Sequence, residues 1–537
     1  MSTPPVSPTA SDAVPVTPRR AGLVLASLII GAVVCNVNLS VANIALPDIA
    51  RSLDASQTTV NLVAIGTTLG LAMSVLWFGA LGDRYGRKGM LLAGLFLTVP
   101  FSLLATFAPT AEVLVLARIA TGLAAGMSYP TTLALITALW GDGPARTRSI
   151  ALWSGLSAAS AAIGPVIAGL LLARFWWGSV FLIAVPPAVI GFVMVARTVP
   201  AHVNESSDRV DQVGGGLSAF MVATLVIGIS FIGTPGRFWG SLAVLGVAVV
   251  SAGLFVVNQR RSANPLYDLS VAARRLFWVP AVGGMLVFGS LMGSMFVGQQ
   301  FLQNVFGYST VAAGFAIVPS AVGLVLSAPI SARLVMARGS RVTMVVGYVF
   351  TAAGFLVMLV MWREGVGYFW VGLAYLLIGT GAGLALTPAS RSVTAATPVH
   401  RVGMASGTAD LQRDLGGSIM QALLGALLTA GYAAAVSSQL AGAPSSVTSQ
   451  LTDETRNLLT SSYASAEDVA SRYPQYASAI VDGARESFQS GALVAIAAGL
   501  VTTLVGAAVV WFAYPSRRGE DALFADYARA DAAEVPN

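Results

Sequence analysis

Long apolar segments alternate with short polar segments along nearly the whole chain. A transmembrane helix needs about 20 mostly apolar residues, and fourteen segments fit that length. They lie near 21–46, 60–80, 90–107, 113–137, 150–173, 180–197, 213–233, 239–257, 278–301, 312–336, 343–362, 366–388, 403–432 and 488–513. The pattern therefore predicts an all-α protein with 14 transmembrane helices.

The polar segments predict how the chain is arranged across a multi-pass membrane fold. Residues 1–20 are rich in Pro, Ser and Thr and are expected to form a disordered cytoplasmic tail; residues 433–487 and 514–537 are expected to form an extracytoplasmic loop and a cytoplasmic tail. Arginines concentrate in alternate short loops, and cytoplasmic loops carry an excess of basic residues. We therefore expect both termini in the cytoplasm and the protein in the plasma membrane.

Composition supports a membrane protein over a soluble one. Apolar residues make up 55% of the chain and charged residues 10%, whereas soluble domains carry about 25% charged residues. The net charge of +6 lies mainly in loops that set orientation, so it does not indicate nucleic-acid binding. The single cysteine, Cys35, permits no intrachain disulfide, and no spacing suggests a metal or cofactor site.

The segment between the second and third spans is the most specific motif. It reads Gly79-Ala-Leu-Gly-Asp83-Arg84-Tyr-Gly86-Arg87-Lys88, a tight turn with one acid and three bases between two apolar runs. Its pattern resembles the signature loop of the major facilitator superfamily, a superfamily of secondary transporters. The resemblance implies a gating role for this loop, and the alternative is a purely topogenic signal.

Two further motifs strengthen the resemblance. The fourth span contains Arg118, where the superfamily carries an arginine motif, and the resemblance implies a role for Arg118 in proton coupling during the transport cycle. The alternative is an arginine that binds backbone carbonyls and fixes two helices. The fifth span contains Gly164-Pro165 and Gly169, which resemble the antiporter motif of the fourteen-span drug:proton antiporters. Proline and glycines would make this helix a pliable, closely packed joint.

The family resemblance implies a specific architecture and activity. It implies a major facilitator fold with six-helix bundles at 21–200 and 263–513 and two inserted helices at 201–262. It also implies a monomeric, lipid-embedded, proton-driven exporter of small amphipathic antibiotics, with tetracycline and spectinomycin as implied candidates. An exporter of an endogenous metabolite, lipid or siderophore is the alternative. An intramembrane enzyme is disfavoured because no span combines His, Ser or Cys with acids in a catalytic arrangement.

The usual proton carrier of the resembled family is absent from the first span. Asn38 stands where an aspartate is usual, and it cannot titrate. The thirteenth span offers Asp410, Arg413 and Asp414 instead, with Asp414 roughly 15 Å deep in a ~30 Å hydrocarbon core. Two acids and one arginine leave one surplus negative charge, which a proton would neutralise. The alternatives are a static ion triad, or a span that begins later and leaves Asp410 among the headgroups.

The substrate is expected to bind near the midplane between the two bundles. An interior with few fixed charges would favour amphipathic cargo. The expected substrate-cavity residues are aromatic or carry side-chain amides: Asn38, Asn43, Tyr129, Trp153, Gln299 and Gln303.

Overall fold

The structure is a computed structural model that describes residue 18 and residues 20–140, 144–201, 209–234, 236–398, 402–443 and 451–534. Within these ranges the chain forms helices and connecting turns, with no β-strand. The tail predicted at 1–20 lies outside the described residues except for residues 18 and 20.

Where the structure describes it, the first part of the chain forms ten helices in sequence order. They are α1 Ala21–Ser40, α2 Ala42–Ser52, α3 Gln57–Tyr85, α4 Arg87–Thr106, α5 Ala111–Leu139, α6 Pro144–Leu172, α7 Ser179–Leu182, α8 Val185–Thr198, α9 Gln212–Ile232 and α10 Phe238–Arg261. Pro186 and Pro187 stand in the first turn of α8, where a missing N–H breaks no helical hydrogen bond, so the prolines begin a helix rather than kink one.

The described residues of the second part form eleven helices and one 3₁₀ turn. They are α11 Leu269–Ala272, α12 Arg275–Asn304, α13 Thr310–Ala316, α14 Val318–Arg338, α15 Ser340–Met361, α16 Tyr368–Ala395, α17 Val402–Gly442, α18 Asp453–Ser461, α19 Tyr463–Arg472, the 3₁₀ turn Pro474–Tyr476, α20 Ala477–Ala513 and α21 Arg517–Glu534.

The predicted spans coincide with long apolar helices. Among the described residues, 13 helical segments are long and apolar enough to cross a membrane, and each contains or overlaps one predicted span. The remaining prediction, 150–173, falls in α6, whose 29 residues exceed the length needed; its described apolar portion is Ile163–Leu172. The prediction of an all-α membrane protein is confirmed, and the count of fourteen agrees with the thirteen segments plus α6.

Helices α1 to α8 pack mainly on one another, and α3 and α5 do so with their backbones in contact. A β-carbon at Gly70 would lie 2.1 Å from the carbonyl oxygen of Ile119, and one at Gly122 would lie 2.2 Å from that of Thr67. Gly66 and Gly126 complete a four-residue spacing on each helix. Small residues at this spacing allow close helix approach in a membrane, where dispersion contacts must replace the hydrophobic effect.

Helices α12 to α17 and α20 form the second group of packed helices, and the two groups meet mainly where α3 packs on α17. The inserted helix α9 lies against both α3 and α17, and α10 packs on α9. The inserted pair therefore covers one seam between the groups. We call α1–α8 the N-terminal bundle and α12–α17 with α20 the C-terminal bundle.

The segment predicted as a loop at 433–487 is largely helical. Residues 433–442 continue α17, residues 477–487 begin α20, and α18, α19 and the 3₁₀ turn lie between them. We call residues 451–476 the cap, and the end of the bundles that carries it the cap end. The opposite end, with the turn between α3 and α4, is the loop end.

The segment predicted as a tail at 514–537 forms helix α21 as far as Glu534. Glu520 accepts hydrogen bonds from the backbone and hydroxyl of Ser340 at 3.1 and 2.6 Å, and Arg517 donates to the Ala337 carbonyl at 2.7 Å. Asp531 pairs with Arg274. Burial, followed by the charge of Glu520, raises the pKa of the Tyr514 hydroxyl. Helix α21 is thus docked on the loop end of the C-terminal bundle.

Candidate functional site

Asp410, Arg413 and Asp414 lie where α17 faces the N-terminal bundle, and we call them the acid–arginine cluster. The two aspartates are 7% and 6% exposed. The cluster borders a gap of about 20 Å³ together with Cys35, Asn36, Leu39, Leu71, Tyr129 and Phe288. Residues of both bundles therefore meet at the acids, and one carboxylate oxygen of Asp414, Oδ2, is buried without a hydrogen-bond partner.

Arg413 connects the two bundles. Its guanidinium lies 3.5 Å from the Tyr129 hydroxyl on α5 and stands over the Phe288 ring of α12, 5.3 Å from the ring centroid. A cation over an aromatic face gains about 0.5–2 kcal/mol, depending on its desolvation. The arginine is therefore held by both bundles at once, beside two carboxylates on its own helix.

An aromatic pair adjoins the cluster on the N-terminal side. The rings of Tyr129 and Trp153 lie 5.5 Å apart between centroids, and the Trp153 indole donates to the Thr132 hydroxyl at 2.9 Å. Because Tyr129 also contacts Arg413, the pair joins the cluster to the apolar core of the N-terminal bundle. The structure thus brings together two of the predicted substrate-cavity residues and three of the predicted proton-coupling residues, Asp410, Arg413 and Asp414.

A row of polar side chains crosses between the bundles nearer the cap end, and sequence reasoning missed most of it. Gln57 of α3 donates to Gln300 of α12 at 2.8 Å and to Asn61 at 3.0 Å. Asn61 donates to Thr429 of α17 at 3.2 Å. Positions 57 and 61 are four residues apart and so share one helix face. Buried polar residues on one face of an apolar helix were the available signal.

Arg118 binds backbone carbonyls in this conformation. It donates to the Asn38 carbonyl of α1 at 2.8 Å and to the Val63 carbonyl of α3 at 3.3 Å, and it lies over the Phe181 ring. This is the geometry of the structural alternative, an arginine that fixes helices. The Asn38 amide donates to Val34 of its own helix at 3.1 Å. A role of Arg118 in coupling therefore stays a prediction.

Three other predicted cavity residues lie toward the cap end. Asn43 is buried on α2, with its side-chain oxygen unpartnered. Gln299 donates to the Ala313 carbonyl at 3.0 Å, and Gln303 donates to the Ile44 carbonyl at 3.1 Å. The structure therefore does not place them against Tyr129 and Trp153. Gln303 instead joins α12 to α2 across the bundles.

The glycines of α6 lie at close contacts. A β-carbon at Gly164 would lie 2.4 Å from the Ser40 hydroxyl oxygen, and one at Gly169 would lie 2.6 Å from the Thr310 carbonyl oxygen. Gly314 on α13 faces the Pro165 carbonyl in the same way, at 2.8 Å. Helix α6 is thus pressed between α1 of its own bundle and α13 of the other.

The turn between α3 and α4 is fixed within the N-terminal bundle. Asp83 accepts from Arg87 at 2.8 Å, Arg87 also reaches the Ala134 carbonyl at 3.5 Å, and Lys88 donates to the Ala196 carbonyl at 3.0 Å. Gly86 has a φ of 110°, which favours glycine, and Arg84 lies over the Tyr85 ring. Gly79 has open space around it. In this conformation Arg87 and Lys88 make these contacts with their own bundle.

Two helical bundles that meet on buried polar and ionisable side chains define the class of membrane transporters that alternate access around a central site. The sequence profile of the Major Facilitator Superfamily matches residues 28–421. The chain is 32% identical over 499 residues to the multidrug efflux pump LfrA of Mycolicibacterium smegmatis, covering 93% of this chain and 97% of LfrA. It is 32% identical over 403 residues to the multidrug resistance protein Stp of Mycobacterium tuberculosis, covering 74% of each.

A solved structure has the same fold. A bacterial homologue of the human lysosomal transporter Spinster, in an inward-facing and unoccupied conformation, superposes with a TM-score of 0.62 at 14% identity, covering 94% of this chain and 98% of that one. The chain therefore belongs to the major facilitator superfamily and has its fold, as the signature loop indicated. It is a multi-pass membrane transporter of small molecules and not an enzyme.

Proposed function

We propose that this protein is a drug efflux transporter of the plasma membrane that exports small amphipathic antibiotics in exchange for protons. The observation that carries the proposal is the acid–arginine cluster, which is buried between the bundles and adjoins the Tyr129–Trp153 aromatic pair. The names of LfrA and Stp, a multidrug efflux pump and a multidrug resistance protein, support the drug cargo. Tetracycline and spectinomycin are the candidate substrates that we infer.

The cluster supports proton exchange through its charge. Two carboxylates and one guanidinium leave one surplus negative charge, and a buried surplus charge is costly in a low-dielectric interior. A proton on Asp414 would neutralise this surplus charge, and Asp410 is the second candidate for the same proton. Arg413 would then pair with whichever acid is ionised, and loss of the proton to the cytoplasm would reset the site for the next exchange.

The bundles would supply the alternation of access. We infer that residues 21–200 and 263–513 rock against one another, with 201–262 inserted between them, and that both termini lie in the cytoplasm. Closure at the cap end would depend on the contact of Gly169 with Thr310 and on the row of polar side chains that begins at Gln57. The signature loop would act in gating at the loop end. The protein is proposed to work as a monomer surrounded by lipid.

Transport by the reconstituted protein tests the proposal. The full chain in proteoliposomes should accumulate tetracycline or spectinomycin against its gradient only when a pH gradient is imposed, and a protonophore should abolish the accumulation. Empty liposomes and liposomes with Asp410→Asn/Asp414→Asn are the matched controls. Accumulation that is unaffected by the protonophore would contradict proton coupling. Accumulation of neither drug, with a metabolite building up in a deletion strain, would favour an endogenous cargo.

A further inference from the structure

The helices of the cap enclose a cavity that none of the transport residues borders. Its volume is about 400 Å³, and it lies between the end of α17, the helices α18 and α19, and the start of α20. Its walls include Tyr432, Val436, Leu459, Val469, Tyr473 and Ile480. We call it the cap pocket. Tyr432 and Asp414 are 18 residues apart on one helix, or about 27 Å, so the cap pocket is separate from the acid–arginine cluster.

Contacts between the helices around the cap pocket hold its walls in place. The Tyr432 hydroxyl lies 3.0 and 3.1 Å from the carbonyl oxygens of Leu459 and Ser462, at the junction of α18 and α19. The Phe488 ring packs edge-on against both Tyr432 and Tyr463. The pocket therefore does not depend on an occupant for its shape, and a pre-formed site avoids the ordering cost of binding.

The lining defines the chemistry of a ligand. The 16 described residues that border the pocket include no acid and no base; their polar groups are tyrosine hydroxyls, Gln439, Gln475 and Thr455. Two acids of the cap form ion pairs away from the pocket, Glu467 with Arg51 and Asp468 with Arg472. An apolar, aromatic wall with a few uncharged hydrogen-bonding groups favours an uncharged aromatic molecule over an ion.

The size and the opening fit a small molecule. Ligand sites for drug-sized molecules range over about 300–1,000 Å³, and the cap pocket falls within that range. Tyr473 and Tyr476, which border it, are 44% and 48% exposed, so they stand at its mouth. We propose that the cap pocket is a second binding site, which takes an uncharged, aromatic, drug-sized molecule from the cap side of the membrane.

The test reports on the pocket itself, without transport. The full chain is placed in lipid nanodiscs with Cys35→Ala and with a trifluoromethyl tag on Thr455→Cys, and N-phenyl-1-naphthylamine, an uncharged aromatic probe, is added. We expect a saturable change in the ¹⁹F chemical shift of the tag. A matched tag on Asn457→Cys, which is exposed on the same helix and outside the pocket, should not show a saturable change.

Variants that fill the cap pocket or make its wall more polar test whether the probe binds there. Ala479→Trp, at an exposed position on the wall, should weaken the apparent affinity about tenfold or more, equivalent to about 1.4 kcal/mol. Ile480→Ser should weaken it as well, whereas Ser478→Trp, on the neighbouring exposed position, should not. Equal, unsaturated responses of both tags, or unchanged affinity in Ala479→Trp and Ile480→Ser, would overturn the proposal. So would loss of the response in Asp410→Asn/Asp414→Asn, because the probe would then be bound at the cluster.

Discussion

Asp410 and Asp414 are four residues apart on α17, so their carboxyl groups share one face of the helix with Arg413 beside them. The two acids differ in their surroundings. Asp414 has one buried oxygen without a partner, and a buried unsatisfied polar group costs about 1–3 kcal/mol, with more for a charged one. Protonation removes the charge of Asp414 and so lowers that cost, which makes Asp414 the better candidate for the proton carrier.

The first prediction concerns these carboxyl groups. Asp414→Asn should abolish uphill export driven by a pH gradient while leaving downhill exchange of the drug, because an amide keeps the shape of the side chain but does not titrate. Asp410→Asn should have a smaller effect. The measurement is drug uptake in vesicles as a function of pH, for both single variants and the double variant.

The control for this prediction is Asp453→Asn, an exposed acid on the cap, which should retain wild-type transport. A double variant that still drives uphill export with the wild-type pH response would show that the proton moves elsewhere. The acid–arginine cluster would then be a structural triad.

At the scale of single elements, α6 and the turn between α3 and α4 act through close geometry rather than through charge alone. Helix α6 has no room for a side chain at Gly164 or Gly169, where other backbones or side chains approach within 2.6 Å of a β-carbon position. The α3–α4 turn combines Gly86, which has a positive φ, with an ion pair between Asp83 and Arg87, four residues apart. Both features depend on the exact position in the chain, so the same kind of substitution at another position can serve as a control.

The second prediction concerns α6. Gly169→Leu should force α6 away from Thr310, open the cap end and reduce export strongly. Gly164→Leu should also reduce export, by forcing α6 away from Ser40 of α1 in its own bundle. Maleimide labelling of Ala50→Cys at the cap end should rise and that of Leu76→Cys toward the loop end should fall, both in a Cys35→Ala background. Gly246→Leu, on α10 with open space around it, is the control. Unchanged labelling in both variants would rule out the role of α6 as a joint.

The third prediction concerns the signature loop. Asp83→Asn should leave expression near normal but reduce export strongly, because Arg87 loses its partner at the start of α4. The exchange Asp83→Arg/Arg87→Asp tests whether the pair or the individual residue matters, and restored export would indicate the pair. Full drug resistance in cells that carry Asp83→Asn would show that the loop is only a topogenic signal.

The sequence was sufficient for the number and order of the apolar helices and for the family, because both depend on local pattern. It did not reveal that α17 and α20 extend beyond the apolar runs, since backbone hydrogen bonds continue a helix in any solvent. Nor could it reveal which side chains meet. Arg413 contacts Tyr129, which is 284 positions away in the chain, and Gln57 contacts Gln300, which is 243 positions away. Such pairs follow from the packing of whole helices.

At the scale of the whole molecule, an ion pair joins the cap to the N-terminal bundle. Arg51 of α2 donates to Glu467 of α19 at 2.8 Å and also pairs with Asp48 at 3.0 Å. Burial lowers the pKa of the Arg51 guanidinium, but the hydrogen bond and charge of Glu467 with the charge of Asp48 raise it overall above its ordinary value. Because the cap belongs to the C-terminal part of the chain, this pair resists separation of the bundles at the cap end.

The fourth prediction concerns this pair. Exposed ion pairs contribute about 0.2–1 kcal/mol, so Glu467→Gln should raise the labelling rate of Ala50→Cys by only about 1.5- to 5-fold. High salt should reduce the difference, because screening already weakens the pair in the unmodified protein. Glu454→Gln, another acid of the cap, should leave the rate unchanged. A rate that is the same in Glu467→Gln and in its parent would show that the pair does not contribute to closure.

Helix α17 runs without a break for 41 residues, with the acid–arginine cluster near its beginning and the wall of the cap pocket near its end. At 1.5 Å per residue it is a rod of about 60 Å, roughly twice the thickness of the hydrocarbon core. A rod of that length acts as a lever: a tilt of about 10° around its middle would move each end by about 5 Å. A small displacement of α17 beside Asp414 would thus produce a displacement of similar size, in the opposite direction, at the tyrosines of the cap pocket.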